Sequence, residues 1–147
     1  MTKSPIDYSK AIIYKISCND NSIIDCYVGS TTNFRIRKHR HKFNCCIATA
    51  KEYNMKIYQF IRANGGWDNW TMVLIETYPT TTSLELFKRE RYWCDELKSN
   101  LNTNSPYRSP DEVSILRKSY KQINKEKSNL LQRLRRQKNK LENQNNL

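Results

Sequence analysis

Ala11-Ile12-Ile13-Tyr14-Lys15-Ile16-Ser17, followed by Ile23-Ile24-Asp25-Cys26-Tyr27-Val28, is the stretch on which the fold turns. Both runs are rich in β-branched and aromatic residues, which suit a pleated, half-buried surface. Between them, Cys18-Asn19-Asp20-Asn21-Ser22 offers side chains that favour turns. The pair predicts a β-hairpin. Its second strand is closed by Gly29, one of only three glycines in 147 residues.

Beyond the hairpin, Thr31 to Lys42 reads as a basic helix, with Thr32 and Asn33 as caps. A second helix carries the apolar stripe Tyr53, Ile57, Phe60 and Ile61, and Asn64-Gly65 supplies its left-handed C-terminal turn. Trp70 to Thr77 predicts a third strand. Thr82 and Glu85 form a capping box at the start of a helix over 83–98. The order β-β-α-α-β-α is a mixed α/β domain, with a small three-stranded antiparallel sheet flanked by helices.

The chain changes character near Ser105-Pro106 and Ser109-Pro110, where proline interrupts regular structure. We divide it into a globular domain over 1–108 and a basic helical tail over 109–147. In the tail Val113, Leu116, Tyr120, Ile123, Lys127, Leu130, Leu134, Gln137 and Leu141 keep heptad spacing. That pattern fits a long C-terminal helix, either as a coiled coil that joins two copies through 113–141 or as a lone amphipathic helix. Asn139 to Leu147 is expected to fray.

The formal net charge is +12, half of it in the tail, where 10 Lys and Arg face 4 Asp and Glu. Such a field concentrates polyanions and makes nucleic acid the first partner to consider. No apolar stretch reaches the roughly 18 residues of a membrane span, and the run Ala11–Ile16 is too short for a secretory leader. The expectation is an intracellular protein of cytoplasm or nucleus. Its richness in Asn, Lys and Ile hints at an AT-rich, viral genome. Five scattered cysteines form neither a disulfide framework nor a zinc motif, so reduced, idle thiols are expected.

Some polar residues sit where a core is expected. Leu86, Glu90, Trp93 and Leu97 share one helical stripe, so Glu90 points inward and needs an arginine or a metal ion as partner. Arg37 and His41 are four apart and share a face of the basic helix. A guanidinium there fits a phosphate, while the run Arg35 to Lys42 as a whole also fits a solvated face. Tyr14 and Tyr27 lie one on each arm of the hairpin, with core packing as their default role.

Taken in order, these residues resemble the GIY-YIG nuclease family. Ile12-Ile13-Tyr14 and Tyr27-Val28-Gly29-Ser30 correspond to its two signature triplets, followed by Arg37, Glu90 and Leu101-Asn102. Residues 57–68 resemble its helix and turn before the third strand, and Glu90-Arg91-Tyr92-Trp93 its glutamate-bearing helix. The likeness covers about residues 10–108. The first triplet lacks the family's glycine, and the hairpin loop is somewhat longer than usual. Asn102 is preferred over Asn100 and Asn104 because it follows a leucine.

The resemblance implies a GIY-YIG fold and a Mg²⁺-dependent (or Mn²⁺-dependent) endonuclease that hydrolyses DNA by a one-metal mechanism. Glu90 would hold the metal and Arg37 would neutralise the phosphate. Tyr27 would take a proton from the attacking water that Tyr14 orients, which requires lowered phenol pKa values. His41 would act as base or phosphate contact, and Asn102 would position Glu90 or a water. DNA contacts are assigned to Ser30, Arg35, Lys38, Arg40 and Arg62, and in the tail to Arg133, Arg135 and Arg136. The alternative is a catalytically weak or inactive nucleic-acid-binding protein of the same fold that relies on its basic tail.

Overall fold

A computed structural model describes residues 5–145, with side chains as far as Asn139. The chain forms two compact units, Met1–Tyr107 and Arg108–Leu147.

In the first unit the hairpin strands are β1 (Ile12–Cys18) and β2 (Cys26–Thr31), and β3 spans Trp70–Thr77. The sheet order is β2-β1-β3, with both pairings antiparallel. The central strand is therefore β1, the most apolar of the three. A register shift between Ile13 and Tyr14, where Ile13 faces Glu76 and Tyr14 faces Leu74, leaves Ile75 as the extra residue of a bulge.

Helices cover both faces, so alternate residues of β1 enter two different cores. Tyr14 and Ile16 join Trp70 and Met72 beneath α1 (Phe34–Cys46) and α2 (Lys56–Ala63). Ile13 joins Val28, Leu86 and Cys94 beneath α3 (Ser83–Glu96). Burial on both sides explains why Ile13 and Tyr14 are adjacent yet both fully buried.

The helices begin and end for local reasons. The Asn33 side chain caps α1 by accepting from Ile36 N at 3.0 Å. That helix runs four residues past Lys42, because Asn44 and Cys45 continue its buried face. The next helix, α2, starts only at Lys56, which leaves Tyr53 in the preceding turn. It ends where Gly66 N donates to Ile61 O at 2.9 Å, with Gly65 at φ 88° and Gly66 at φ 74°. The capping box of α3 forms, Thr82 Oγ1 accepting from Glu85 N at 3.3 Å.

Two expectations shift. Strand β2 begins at Cys26, three residues later than predicted. Asp20 closes a turn by accepting from Ser22 N at 2.9 Å, and Ile24 is left 89% exposed in the loop. In the second unit, α4 spans Pro110–Asn145, beyond the point where its Asn-rich sequence predicts fraying. Leu147 and Asn146 lie outside the described residues, as does the Leu141 side chain. Pro110 is its first helical residue, and Ser109 and Glu112 cap it reciprocally at 3.2 and 2.7 Å. Tyr120, Ile123, Leu130 and Leu134 of the heptad seam are exposed. No helix among the described residues is long and apolar enough to cross a membrane.

Candidate active site

Four polar side chains meet where β1, β2 and α1 come together. Tyr14 and Gly29 are paired across the hairpin, and Tyr27 lies two residues back on the same face of β2. A Cβ at Gly29 would fall 2.5 Å from the Tyr14 hydroxyl and 3.0 Å from the Tyr27 ring. The glycine thus leaves room for Tyr14 to lie across the neighbouring strand.

From α1, Arg37 and His41 reach the same hydroxyl. Arg37 Nε donates to Tyr14 Oη at 2.8 Å, and His41 Nε2 lies 2.8 Å from it. The Tyr27 ring stands edge-on to His41, with centroids 5.6 Å apart. His41 is 2% exposed, and its Nδ1 lies 2.9 Å from the Tyr58 hydroxyl. Both ring nitrogens are therefore engaged, and neither faces outward as a phosphate contact. Burial, reinforced by the Arg37 and Arg40 charges, pushes the imidazole down to about 3, so it is neutral.

The phenols depart from expectation. Burial pushes Tyr27 up to about 12, against the lowering effect of Arg37. Burial likewise raises Tyr14 above the ordinary phenol range, with Tyr27 adding to it and Arg37 opposing it. The predicted lowering by Arg37 is real in sign. Desolvation is larger in size, and both hydroxyls are protonated at neutral pH.

Glu90 approaches from α3, on the other side of β2. It is 9% exposed, and its Oε2 accepts from the Ser30 hydroxyl at 2.5 Å. Burial raises its carboxyl, while the Ser30 hydrogen bond and the Arg37 charge pull the other way. Among the described residues no cation pairs with it, so the arginine salt bridge that would make it purely structural is not formed. Of the two arginines of this helix, Arg89 is gripped by Glu76 at 2.7 and 2.9 Å and Arg91 pairs with Asp95 at 2.7 Å.

Other predicted site residues take different places. Asn102 does not reach Glu90. Its Oδ1 accepts from Val28 N at 2.9 Å and its Nδ2 donates to Val28 O at 2.7 Å, because β2 is an edge strand with both groups unpaired. Ser30 turns its hydroxyl to Glu90 instead of outward to DNA. Arg62 donates to Cys45 O at 3.1 Å and stacks 3.6 Å over the Tyr53 ring, so it ties α2 to the end of α1. Arg35, Lys38 and Arg40 are exposed on α1, as Arg133, Arg135 and Arg136 are on α4. Arg35 and Lys38, with His39 and Lys42, rim an open depression of about 560 Å³ that Trp67 and Trp70 also line.

Tyr58, Asn44 and Glu52 are missing from the sequence reading. Tyr58 lies one residue off the predicted stripe of α2, yet Ile57, Tyr58 and Ile61 are its buried face. A tyrosine on such a face needs a partner for its hydroxyl, and that was the available signal. All five cysteines are free thiols.

The family model of the GIY-YIG catalytic domain matches residues 10–104. No curated protein matches the chain. Among solved structures, that of the catalytic domain of the homing endonuclease I-TevI is 25% identical, with a TM-score of 0.46. The alignment covers 63% of this chain and 94% of that one.

Proposed function

The chain belongs to the GIY-YIG nuclease family and is an endonuclease, and from that premise we propose that it hydrolyses DNA phosphodiester bonds around a single Mg²⁺ held by Glu90. The observation that carries this reading is a buried carboxylate that forms no salt bridge among the described residues and lies within electrostatic reach of Arg37, Tyr14 and Tyr27. A buried carboxylate that no salt bridge balances is costly, and a divalent cation would offset that cost. Among the described residues no three His, Cys, Asp or Glu side chains converge, so the cation would not sit in an all-protein cage, and Glu90 is the ligand proposed for it. A hard cation that keeps most of its waters suits such a site, and Mn²⁺ is its substitute. When bound, that cation supplies Lewis-acid stabilisation of the phosphate oxygens.

The chain's own residues divide the remaining work. Arg37 lies against both tyrosines and neutralises charge on the phosphate as it becomes pentacovalent. Tyr14, fixed between Arg37 and His41, orients the attacking water, and Tyr27 takes up its proton in the phenolate form, its own hydroxyl proton having first passed to solvent. Burial makes Tyr27 less acidic than this role needs, and a cation held by Glu90 would shift it in the required direction. Ser30 aims the carboxylate. Arg35, Lys38 and Arg40 form the DNA-facing side of α1, with Arg133, Arg135 and Arg136 adding attraction from the tail. The exposed seam of α4 is proposed to join a second copy, which would bring two sites to one duplex.

The test is plasmid cleavage by wild type, Glu90→Gln and Arg37→Ala, with Mg²⁺ and with EDTA. Wild type should nick or linearise in Mg²⁺ only, and Glu90→Gln should not. Arg37→Ala should be slower by about 10²–10³. Cutting by Glu90→Gln at the wild-type rate rejects the assignment. Salt-sensitive gel shifts without any cleavage would favour a protein that binds and does not cut.

A further inference from the structure

Arg37 and Glu52 stand at opposite ends of one buried hydrogen-bonded chain. Its links are Tyr14 to His41 Nε2 at 2.8 Å, His41 Nδ1 to Tyr58 at 2.9 Å, Asn44 Nδ2 to Tyr58 at 3.4 Å, and Asn44 Nδ2 to Glu52 Oε2 at 2.6 Å. Arg37 and Glu52 fix the direction of the two outer links, and the tautomer of His41 sets the two between them. A carboxylate only accepts, so the Asn44 atom against Glu52 is the amide nitrogen, and its second hydrogen is available to Tyr58 Oη. A guanidinium only donates, so Tyr14 Oη accepts from Arg37 on one lone pair, and its own hydrogen has His41 Nε2, 2.8 Å away, as acceptor whenever that nitrogen is bare. A neutral imidazole with Nε2 as acceptor carries its proton on Nδ1, which donates to Tyr58.

We propose that Tyr58 is a positioning residue for catalysis: by accepting from His41 Nδ1–H it fixes the tautomer that pins the Tyr14 hydrogen away from the attacking water. This rests on the nuclease reading above. With that hydrogen held on His41 and Arg37 on one lone pair, the other lone pair of Tyr14 is open to a water proton. In the opposite tautomer Nε2–H fills that lone pair, and the Tyr14 hydrogen swings into the site. Tyr58, His41 and Asn44 are 3%, 2% and 6% exposed, so bulk solvent does not replace a lost partner. Trp67 lies parallel to the imidazole, 6.3 Å away, and limits its tilt.

The protein has two histidines, which makes nitrogen-15 NMR of the ring nitrogens assignable. At pH 7.5 wild-type His41 should show a protonated Nδ1 and a bare Nε2. Finding Nε2 protonated overturns the proposal without any variant. In Tyr58→Phe the two forms should mix or invert. With Mg²⁺, kcat should then fall about 10- to 100-fold while KM stays within about twofold. An unchanged tautomer, or an altered one with wild-type kcat, also overturns it. A tautomer that responds to Tyr58→Phe in a protein that cuts no DNA would sink the nuclease reading and leave the hydrogen-bond assignment standing.

Discussion

A methyl group at Gly29 would meet the Tyr14 hydroxyl at 2.5 Å and its ζ-carbon at 2.6 Å, closer than real Cβ contacts come. Tyr14 is wedged by Arg37 and His41 and has no easy way to yield. Gly29→Ala should therefore lower cleavage by at least about tenfold while leaving far-UV circular dichroism unchanged. Wild-type cleavage would mean that Tyr14 need not lie over β2. His41 carries a second prediction. Its folded value of about 3 lies below the unfolded 6.5, so the unfolded chain takes up a proton first as the pH falls. Stability should decline from pH 6.5 toward 3 by up to about 1.4 kcal/mol per pH unit from this residue. Glu90 has the opposite sign. Its raised carboxyl keeps its proton to higher pH in the fold, so it lowers metal-free stability near neutrality. Thermal melts of His41→Gln across pH 4.5–6.5 should show a flatter slope than wild type, and an equal slope would show that His41 is not the sensing group.

At the scale of elements, the exposed edge of β2 decides the role of Asn102. Leu101 N donates to Cys26 O at 3.2 Å and Asn102 clips both polar groups of Val28, so two residues of loop act as a partial fourth strand. The clip holds the strand that carries Tyr27, Gly29 and Ser30. Asn102→Ala would leave the backbone of a fully buried residue unsatisfied, at a cost of about 1–3 kcal/mol in urea unfolding. Asn102→Asp should do no better, because a carboxylate oxygen would face Val28 O. Wild-type stability with lost cleavage would instead return Asn102 to Glu90. The pattern of sequence and structure agrees for the helices because their ends are coded locally, by Asn33, by Gly65-Gly66 and by Thr82 with Glu85. It slips at β2, where the run of isoleucines looks like strand but Asp20 closes the turn and pairing stops at Ser17 and Cys26.

Across the whole molecule, charge and chemistry fall in different places: half of the +12 lies in residues 111–147, outside the catalytic unit. Deleting 111–147 should leave low-salt cleavage by the first unit in place, weaken DNA binding and flatten its dependence on salt. Light scattering should show the full chain at twice the monomer mass and the shortened chain at the monomer mass, and a monomeric full chain would reject pairing through α4. By itself the sequence determined the element order and the helical tail, and it singled out Tyr14, Tyr27, Arg37, His41 and Glu90 as candidates, because each rests on local periodicity or on ordered motifs. Only the tertiary structure decided what those residues touch. Asn102 goes to a strand edge, Ser30 to Glu90, Arg62 to a carbonyl and Tyr58 to His41, across 74, 60, 17 and 17 residues of chain. Such pairings, and the desolvation that lifts both phenols, depend on which surfaces pack together, and no spacing along the chain encodes that.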